Sequence, residues 1–328
     1  MPQQSHFSTT KFLLALLPLL NQAACQKNPK RGLAFAHNPH SSDTSLISSP
    51  NSTLTWYYNW SPYPNSDRFN SDTLEFIPLI HGLDGASDPR TSRVISRLPS
   101  SSEHLLSFNE PDGSNESGGS SISPEDAAQA YIEHIVPYRN SERAWKISHP
   151  STTGSGMGLE WLRAFNASCY DIDPENGCPT DFIAAHFYGG FEGLASWLGT
   201  LEEFYNKDRS EEQKLKIWVT EMALPQAGVE ETVAMLNQSL AYLDELEYVE
   251  RYAWFGSFRT DDANEWTGDA VAMFDDDGGL TEVGAVYMGG ESSGFAVGQK
   301  GQGSGVGLVE PMRWLMVLAV SAVLLSVW

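Results

Sequence analysis

Two glutamates draw attention through where they fall. Leu105-Leu106-Ser107-Phe108-Asn109-Glu110-Pro111 and Ile217-Trp218-Val219-Thr220-Glu221 are apolar runs with the character of buried strands, and each stops at a carboxylate. Such a strand projects one acid from its carboxyl end. Where parallel strands close into a barrel, all their carboxyl ends share one face, and residues far apart in sequence meet there. Two carboxylates across a cleft suit the cleavage of a glycosidic bond. One carries a proton for the departing sugar oxygen, and the other stays ionised to attack or stabilise the anomeric carbon.

The elements that must position this pair alternate along the chain. Strand character recurs at Gly32–Ala36, Leu54–Tyr58, Phe76–Ile80, His104–Phe108, Trp145–Ser148, Phe182–His186, Ile217–Thr220 and Tyr252–Phe255. The segments between them are helical or loop-like, the rhythm of βα units, and eight strands close a (β/α)8 TIM barrel. Ser123-Pro124-Glu125-Asp126 is a helix start, with a serine cap, proline at the first position and acids in the first turn, leading into Ala127 to Tyr138. Val233, Leu236, Leu240 and Leu243 place a helical stripe within Val229–Glu247, and Leu159–Phe165 and Leu194–Tyr205 are similar and shorter. Pro39 to Ser52 reads as loop.

The 328 residues fit one barrel with tails, 41% hydrophobic composition supports a core, and the formal charge of −22 leaves no basic stripe for a nucleic acid. Lys11 followed by the apolar run Phe12–Leu20 and Ala23-Ala24-Cys25 reads as a secretory signal peptide over residues 1–25, cleaved after Ala24 or Cys25. Cleavage after Cys25 removes the odd thiol and leaves Cys169 and Cys178 to pair in an oxidising compartment. The catalytic domain then spans 26–290, a flexible Gly/Ser-rich stalk 291–311, and an apolar segment 312–328 that reads as a glycosylphosphatidylinositol (GPI) attachment signal, with Gly303 or Ser304 as the anchored residue. A stop-transfer helix would be longer and followed by basic residues. Sequons at Asn51, Asn115, Asn166 and Asn237 agree with a secretory route and a glycoprotein at the cell surface or wall; the sequon at Asn59 is weakened by Pro62 and by its place near the cleft.

Taken in order, Lys30-Arg31-Gly32-Leu33-Ala34-Phe35, Trp56-Tyr57-Tyr58-Asn59-Trp60, Phe108-Asn109-Glu110-Pro111-Asp112, Ala185-His186-Phe187-Tyr188 and Val219-Thr220-Glu221 resemble glycoside hydrolase family 128 over roughly Arg31 to Gly289. The resemblance implies a (β/α)8 fold of the large retaining clan, with the acid/base after the fourth strand and the nucleophile after the seventh. It also implies endo-acting hydrolysis of β-1,3-glucan by a secreted or wall-attached protein, as in fungal members. Counting strands puts Glu110 after the fourth and Glu221 after the seventh. Glu110 is then the general acid/base and Glu221 the nucleophile. The alternative for each is a salt-bridged structural glutamate.

Asn109 would bond the sugar 2-hydroxyl, as the clan resemblance implies, or else cap the following loop. His186 and Tyr188, at or past the sixth strand's end, would orient Glu221 and keep it ionised, or else be satisfied core or rim residues. Sugar rings present apolar C–H faces, so aromatic platforms are expected: Trp254 at the cleaved sugar, then Tyr58 and Trp60. No metal or cofactor is expected, since His37 with His40, or His81 with Asp84, lack ligand spacing, and Gly154-Ser155-Gly156-Met157-Gly158 lacks the lysine and context of a phosphate loop. There is no serine elbow for an esterase. The expectation is a monomer whose partners are β-1,3-glucan and, through its lipid anchor, the membrane or wall. Its rivals are a glucan-binding wall protein without turnover, and a related barrel hydrolase or transglycosylase acting on another β-glycan.

Overall fold

The computed structural model describes residues 27–36, 38–70 and 72–303. The expected signal segment, the apolar tail, residues 304–311 of the stalk, and His37 lie outside the described residues.

Each of the eight expected runs overlaps a strand: β1 Arg31–Ala34, β2 Trp56–Tyr58, β3 Glu75–Phe76, β4 His104–Leu105, β5 Lys146–Ile147, β6 Phe182–Tyr188, β7 Lys216–Ala223 and β8 Val249–Phe255. Every pairing between them is parallel. Six form one sheet in the order β3-β2-β1-β8-β7-β6, while β4 and β5 form a separate pair. Isolated parallel bridges, Leu79↔Leu106 and Ser148↔Phe182, join that pair to the two ends of the sheet. Parallel neighbours need long crossovers. These carry the helices Pro124–Ala130, Gly156–Ile172, Phe191–Asn206 and Val229–Glu245. The Ser123 hydroxyl accepts from the Asp126 amide, and Pro124 opens that helix, as its sequence requires.

Strand alternation sorts the apolar side chains into two clusters. Ala34, Trp56, Tyr58, Leu106, Phe182, Ala184, Trp218 and Ala253 pack together on the inner face. Leu33, Tyr57, Ile183, Ile217, Val219, Tyr252 and Trp254 join the larger cluster shared with the helices. The Lys30-Arg31-Gly32 string serves this scaffold. The Lys30 ammonium donates to the carbonyls of Leu243, Asp244 and Leu246, closing the carboxyl end of the helix Val229–Glu245. Arg31 lies over the rings of Tyr252 and Tyr287. A side chain at Gly32 would place its Cβ 2.0 Å from the Trp56 ring, so only glycine fits.

Beyond small shifts at strand and helix ends, three segments differ from the sequence reading. Pro39–Ser52 contains a short helix, Ser41–Ile47, whose Asp43 is wholly buried and paired with Arg259 at 2.9 Å. That long-range pair fixes a helix with no side-chain cap of its own. The helix expected from Leu159 begins at Gly156, because the Ser155 hydroxyl caps it through the Gly158 amide. The stalk is not free from residue 291. Phe295 is 1% exposed, the Leu280 amide donates to Gln299, and Gly279 bridges Lys300. A buried phenylalanine in a Gly/Ser-rich stretch is enough to hold that stretch down. Cys169 and Cys178 are joined as a disulfide. Asn51, Asn115, Asn166 and Asn237 are exposed, as is Gly303, whereas the Asn59 amide is bonded to Tyr63 and Asn65.

Candidate active site

β6 delivers two site residues by simple alternation. Phe182 and Ala184 point inward, so His186 and Tyr188 follow on the same face. β7 requires more. With Trp218 inward, strict alternation would turn Thr220 in and Glu221 out. The register shifts here: Ala185 pairs with Val219, but the next pair is His186 with Glu221, leaving Thr220 as an extra residue. Such a bulge re-aims the side chain that follows it, and Glu221 turns inward, 4% exposed.

Glu110 lies beyond β4 in the left-handed region, at φ +39°. Its amide donates to the Ser151 carbonyl at 2.8 Å, and its own carbonyl accepts from the amides of Gly113 and Ser120. The neighbouring loop passes close to β6 at Gly154, at φ +77°, where a Cβ would sit 2.3 Å from the His186 carbonyl oxygen. The glycine-rich run is therefore packing for the site.

Glu221 is held by donors alone. Its Oε1 accepts from the Tyr58 hydroxyl at 2.9 Å and the Trp60 indole N–H at 2.7 Å, and its Oε2 accepts from the Tyr188 hydroxyl at 2.5 Å. Burial, then the charge of Glu221, push the Tyr58 and Tyr188 hydroxyls well above the usual phenol range, so both remain protonated donors. His186 bridges the pair. Its Nδ1 lies 2.9 Å from Glu110 Oε1, and its Nε2 lies 3.4 Å from Glu221 Oε1, an ion-pair contact outside hydrogen-bond geometry. Burial works to lower the imidazole pKa, but the charge of Glu221 and the bond to Glu110 outweigh it and raise it. One ligand atom from each of Glu110, His186 and Glu221 can be chosen so that all lie within 4.8 Å of one another.

That cluster has the composition of a metal site, but its donor chemistry argues otherwise. Tyr58, Trp60 and Tyr188 aim hydrogens at both Glu221 oxygens, and an indole N–H has no lone pair to offer a cation. The arrangement suits an anion facing a proton-bearing partner.

Tyr58, Trp60, His186, Tyr188, Glu110 and Glu221 thus converge as the sequence suggested, with altered parts. Tyr58 and Trp60 hold Glu221 through their polar atoms and are not primarily stacking platforms. The Asn109 side-chain Nδ2–H donates to the Gly118 carbonyl in the following loop, while its Oδ1 is buried without a partner. Trp254 is not at the cleft. It is 0% exposed in the outer layer, its indole donating to the Val271 carbonyl, because alternation on β8 sends Phe255 inward instead. The aromatic wall beside Glu221 is Trp60, Phe255, Tyr188 and Trp266 in edge contact, with centroids 5.8, 5.7 and 4.6 Å apart in turn. Sequence reasoning missed Phe255 by one residue and Trp266 altogether. Trp266 is 57% exposed yet fixed by Asn264 and Gln226, and its signal was a tryptophan inside an Asn-to-Gly turn. A cavity of about 630 Å³ lined by Tyr57, Phe69, Leu74, Phe76 and Leu98 touches neither glutamate.

Known proteins share this framework. A family model described as "Glycosyl hydrolase catalytic core" matches residues 32–287. Alkali-sensitive linkage protein 1 of Schizosaccharomyces pombe is 29% identical over 247 residues, covering 73% of this chain, and the chain spans 41% of that relative's length. A subgroup II endo-β-1,3-glucanase of glycoside hydrolase family 128 from Sorangium cellulosum is 27% identical with a TM-score of 0.61, covering 79% of this chain and 98% of its own. A subgroup III curdlan-specific exo-β-1,3-glucanase of the same family from Blastomyces gilchristii, in complex with glucose, is 26% identical with a TM-score of 0.60, covering 80% of this chain and 100% of its own. With its catalytic-core match across most of its length and these neighbours, the chain belongs to the glycosyl hydrolase catalytic core proteins of glycoside hydrolase family 128.

Proposed function

We propose that this chain is a retaining endo-β-1,3-glucanase built on a closed (β/α)8 barrel over residues 26–290, secreted and held at the cell surface by a GPI anchor. The observation that carries the reading is the approach of Glu110 and Glu221, each offering an oxygen within 4.8 Å of the other, at the ends of strands four and seven. Retaining hydrolysis wants carboxyl groups roughly 5 to 5.5 Å apart, and inversion wants about 6.5 to 9.5 Å so that a water fits between. An approach of one oxygen from each carboxylate to within 4.8 Å is compatible with the shorter separation, and in that sense supports retention. The two bridges that tie β4 and β5 into the sheet support closure, the glucanase neighbours support the substrate, and the terminal segments of the sequence support secretion and anchorage.

In this reading Glu221, fixed by three donors, attacks the anomeric carbon, and Glu110 gives its proton to the leaving oxygen. The bond between His186 and Glu110 keeps a proton at hand, so the imidazole can hold it until the sugar oxygen arrives. Glu110 then takes a proton from water as the glycosyl ester is hydrolysed. In this reading Asn109 Oδ1, which has no partner among the described residues, accepts from a sugar hydroxyl.

The test is product analysis on linear β-1,3-glucan with the parent chain and its Glu110→Gln and Glu221→Gln variants. Mixed oligosaccharides released first as β-anomers, with turnover falling at least about 10²-fold in each variant, support the retaining endo-glucanase reading and both glutamate roles. First-formed α-anomers would overturn retention, release of glucose alone would overturn endo action, and products longer than the substrate would reveal transfer to sugar acceptors. Binding without products would point to a glucan-binding wall protein.

A further inference from the structure

The Glu110 turn is held in a conformation that its own sequence does not favour. A glutamate at φ +39° is strained, and Pro111 after it has no amide to donate. Two residues on, Asp112 is half-buried and spends its carboxylate on one residue of a different loop. Oδ1 accepts from the Thr153 amide at 3.1 Å, and Oδ2 accepts from that amide at 3.2 Å and from the Thr153 hydroxyl at 2.6 Å. The Thr153 hydroxyl also meets the Ser155 hydroxyl at 3.2 Å, and Ser155 caps the helix Gly156–Ile172. Gly158 leaves room for this contact, since a Cβ there would lie 3.0 Å from Asp112 Oδ2. A continuous line of hydrogen bonds therefore runs from the turn that presents Glu110 to the start of a 17-residue helix.

We propose that Asp112, acting through Thr153, is a positioning residue for the acid/base, clasping the Glu110 turn to the loop after β5 so that the carboxyl meets the leaving oxygen. The inference rests on Glu110 being the acid/base. A carboxylate engaged by a backbone amide and a hydroxyl, when its role could have been an ion pair, fixes direction as well as distance. Its negative charge also lies near enough to His186 to favour the imidazolium that faces Glu110. Loosening the clasp would let Glu110 drift without touching Glu221, whose donors come from β2, β6 and the residues after β2. The loss would then fall only on the step that needs a proton.

The experiment compares kcat/KM of the full chain with its Asp112→Ala, Thr153→Val and Thr153→Ser variants on two substrates. Laminarihexaose has a leaving sugar that must be protonated, and 2,4-dinitrophenyl β-laminaribioside has a leaving phenolate that need not be. The expected result is a loss of about tenfold or more on laminarihexaose for Asp112→Ala and Thr153→Val, a change within about twofold on the aryl glycoside, and recovery in Thr153→Ser. Equal losses on both substrates would make the clasp merely structural, and unchanged rates would make it idle; either overturns the proposal. Thr153→Val, a small change at a half-buried site, carries the comparison if Asp112→Ala fails to fold. Glu110→Gln on the same pair of substrates separates the two ideas. If it too loses equally on both, the acid/base reading fails; if it discriminates and the clasp variants do not, only the clasp fails.

Discussion

At the scale of single residues, the site is a contrast between two carboxylates. Glu221 is surrounded by donors and nearly inaccessible, while Glu110 is reached from one side by His186 and remains partly open. A hydrogen bond to a charged group is worth about 1.5–3 kcal/mol, so Tyr188→Phe should lower kcat by roughly 10- to 100-fold. Steady-state kinetics on a β-1,3-glucan oligosaccharide would check this, and KM should move little, because the lost bond serves Glu221, the proposed nucleophile, and not the sugar. The two neighbouring aromatics of β8 should separate by phenotype. Trp254→Ala opens a hole in a packed layer and should cost about 3–5 kcal/mol of stability with KM unchanged. Phe255→Ala should instead raise KM, since that ring faces the cleft beside Trp60 and Tyr188. Denaturant unfolding and oligosaccharide kinetics on both variants decide it.

At the scale of elements, two local departures from regularity make the site. The bulge at Thr220 turns Glu221 inward, and the left-handed turn at Glu110 lifts that carboxyl from the end of β4. Neither is visible in a hydrophobic pattern. A further element-level device lies outside the site, where β5 meets the helices. His149, just past β5, is buried, its Nε2 2.7 Å from the Cys178 carbonyl oxygen and its Nδ1 3.1 Å from the Tyr205 hydroxyl. Burial lowers its pKa to about 4 from an ordinary 6.5. The unfolded chain therefore takes up a proton that the folded chain refuses. The stability this site contributes is complete above pH 6.5 and is lost as the pH falls toward 4, a total of about 3 kcal/mol. Urea unfolding of the parent and a His149→Gln variant at pH 7 and pH 4 should show a smaller drop in the variant. Equal drops would place the acid sensitivity elsewhere.

At the scale of the whole molecule, eight parallel strands bring residues from both ends of the chain to one face, and the described carboxyl-terminal segment completes the covering layer. Phe295 is buried, and residues 279–280 pair with 299–300. A chain ending at residue 290 should be less stable than one ending at 303 by about 2–4 kcal/mol, the worth of a buried phenylalanine with its neighbours. Thermal unfolding of the two chains tests this, and equal midpoints would mean that the segment only rests on the surface. Among the described residues no helix is long and apolar enough to cross a membrane.

The sequence by itself determined the strand count, Glu110 and Glu221 as the candidate pair, the helix start with its cap at Ser123 and Pro124 in first position, and the pairing of Cys169 with Cys178. These follow from local composition, from periodicity and from counting, which a linear chain displays. Tertiary structure alone decided which way side chains face where periodicity breaks. It moved the cleft aromatic from Trp254 to Phe255, made Tyr58 and Trp60 donors to Glu221, brought Trp266 beside Tyr188, and pinned the supposed stalk through Phe295. Each of these depends on a partner distant in sequence or on a one-residue shift of register. A strand pattern with a period of two records neither.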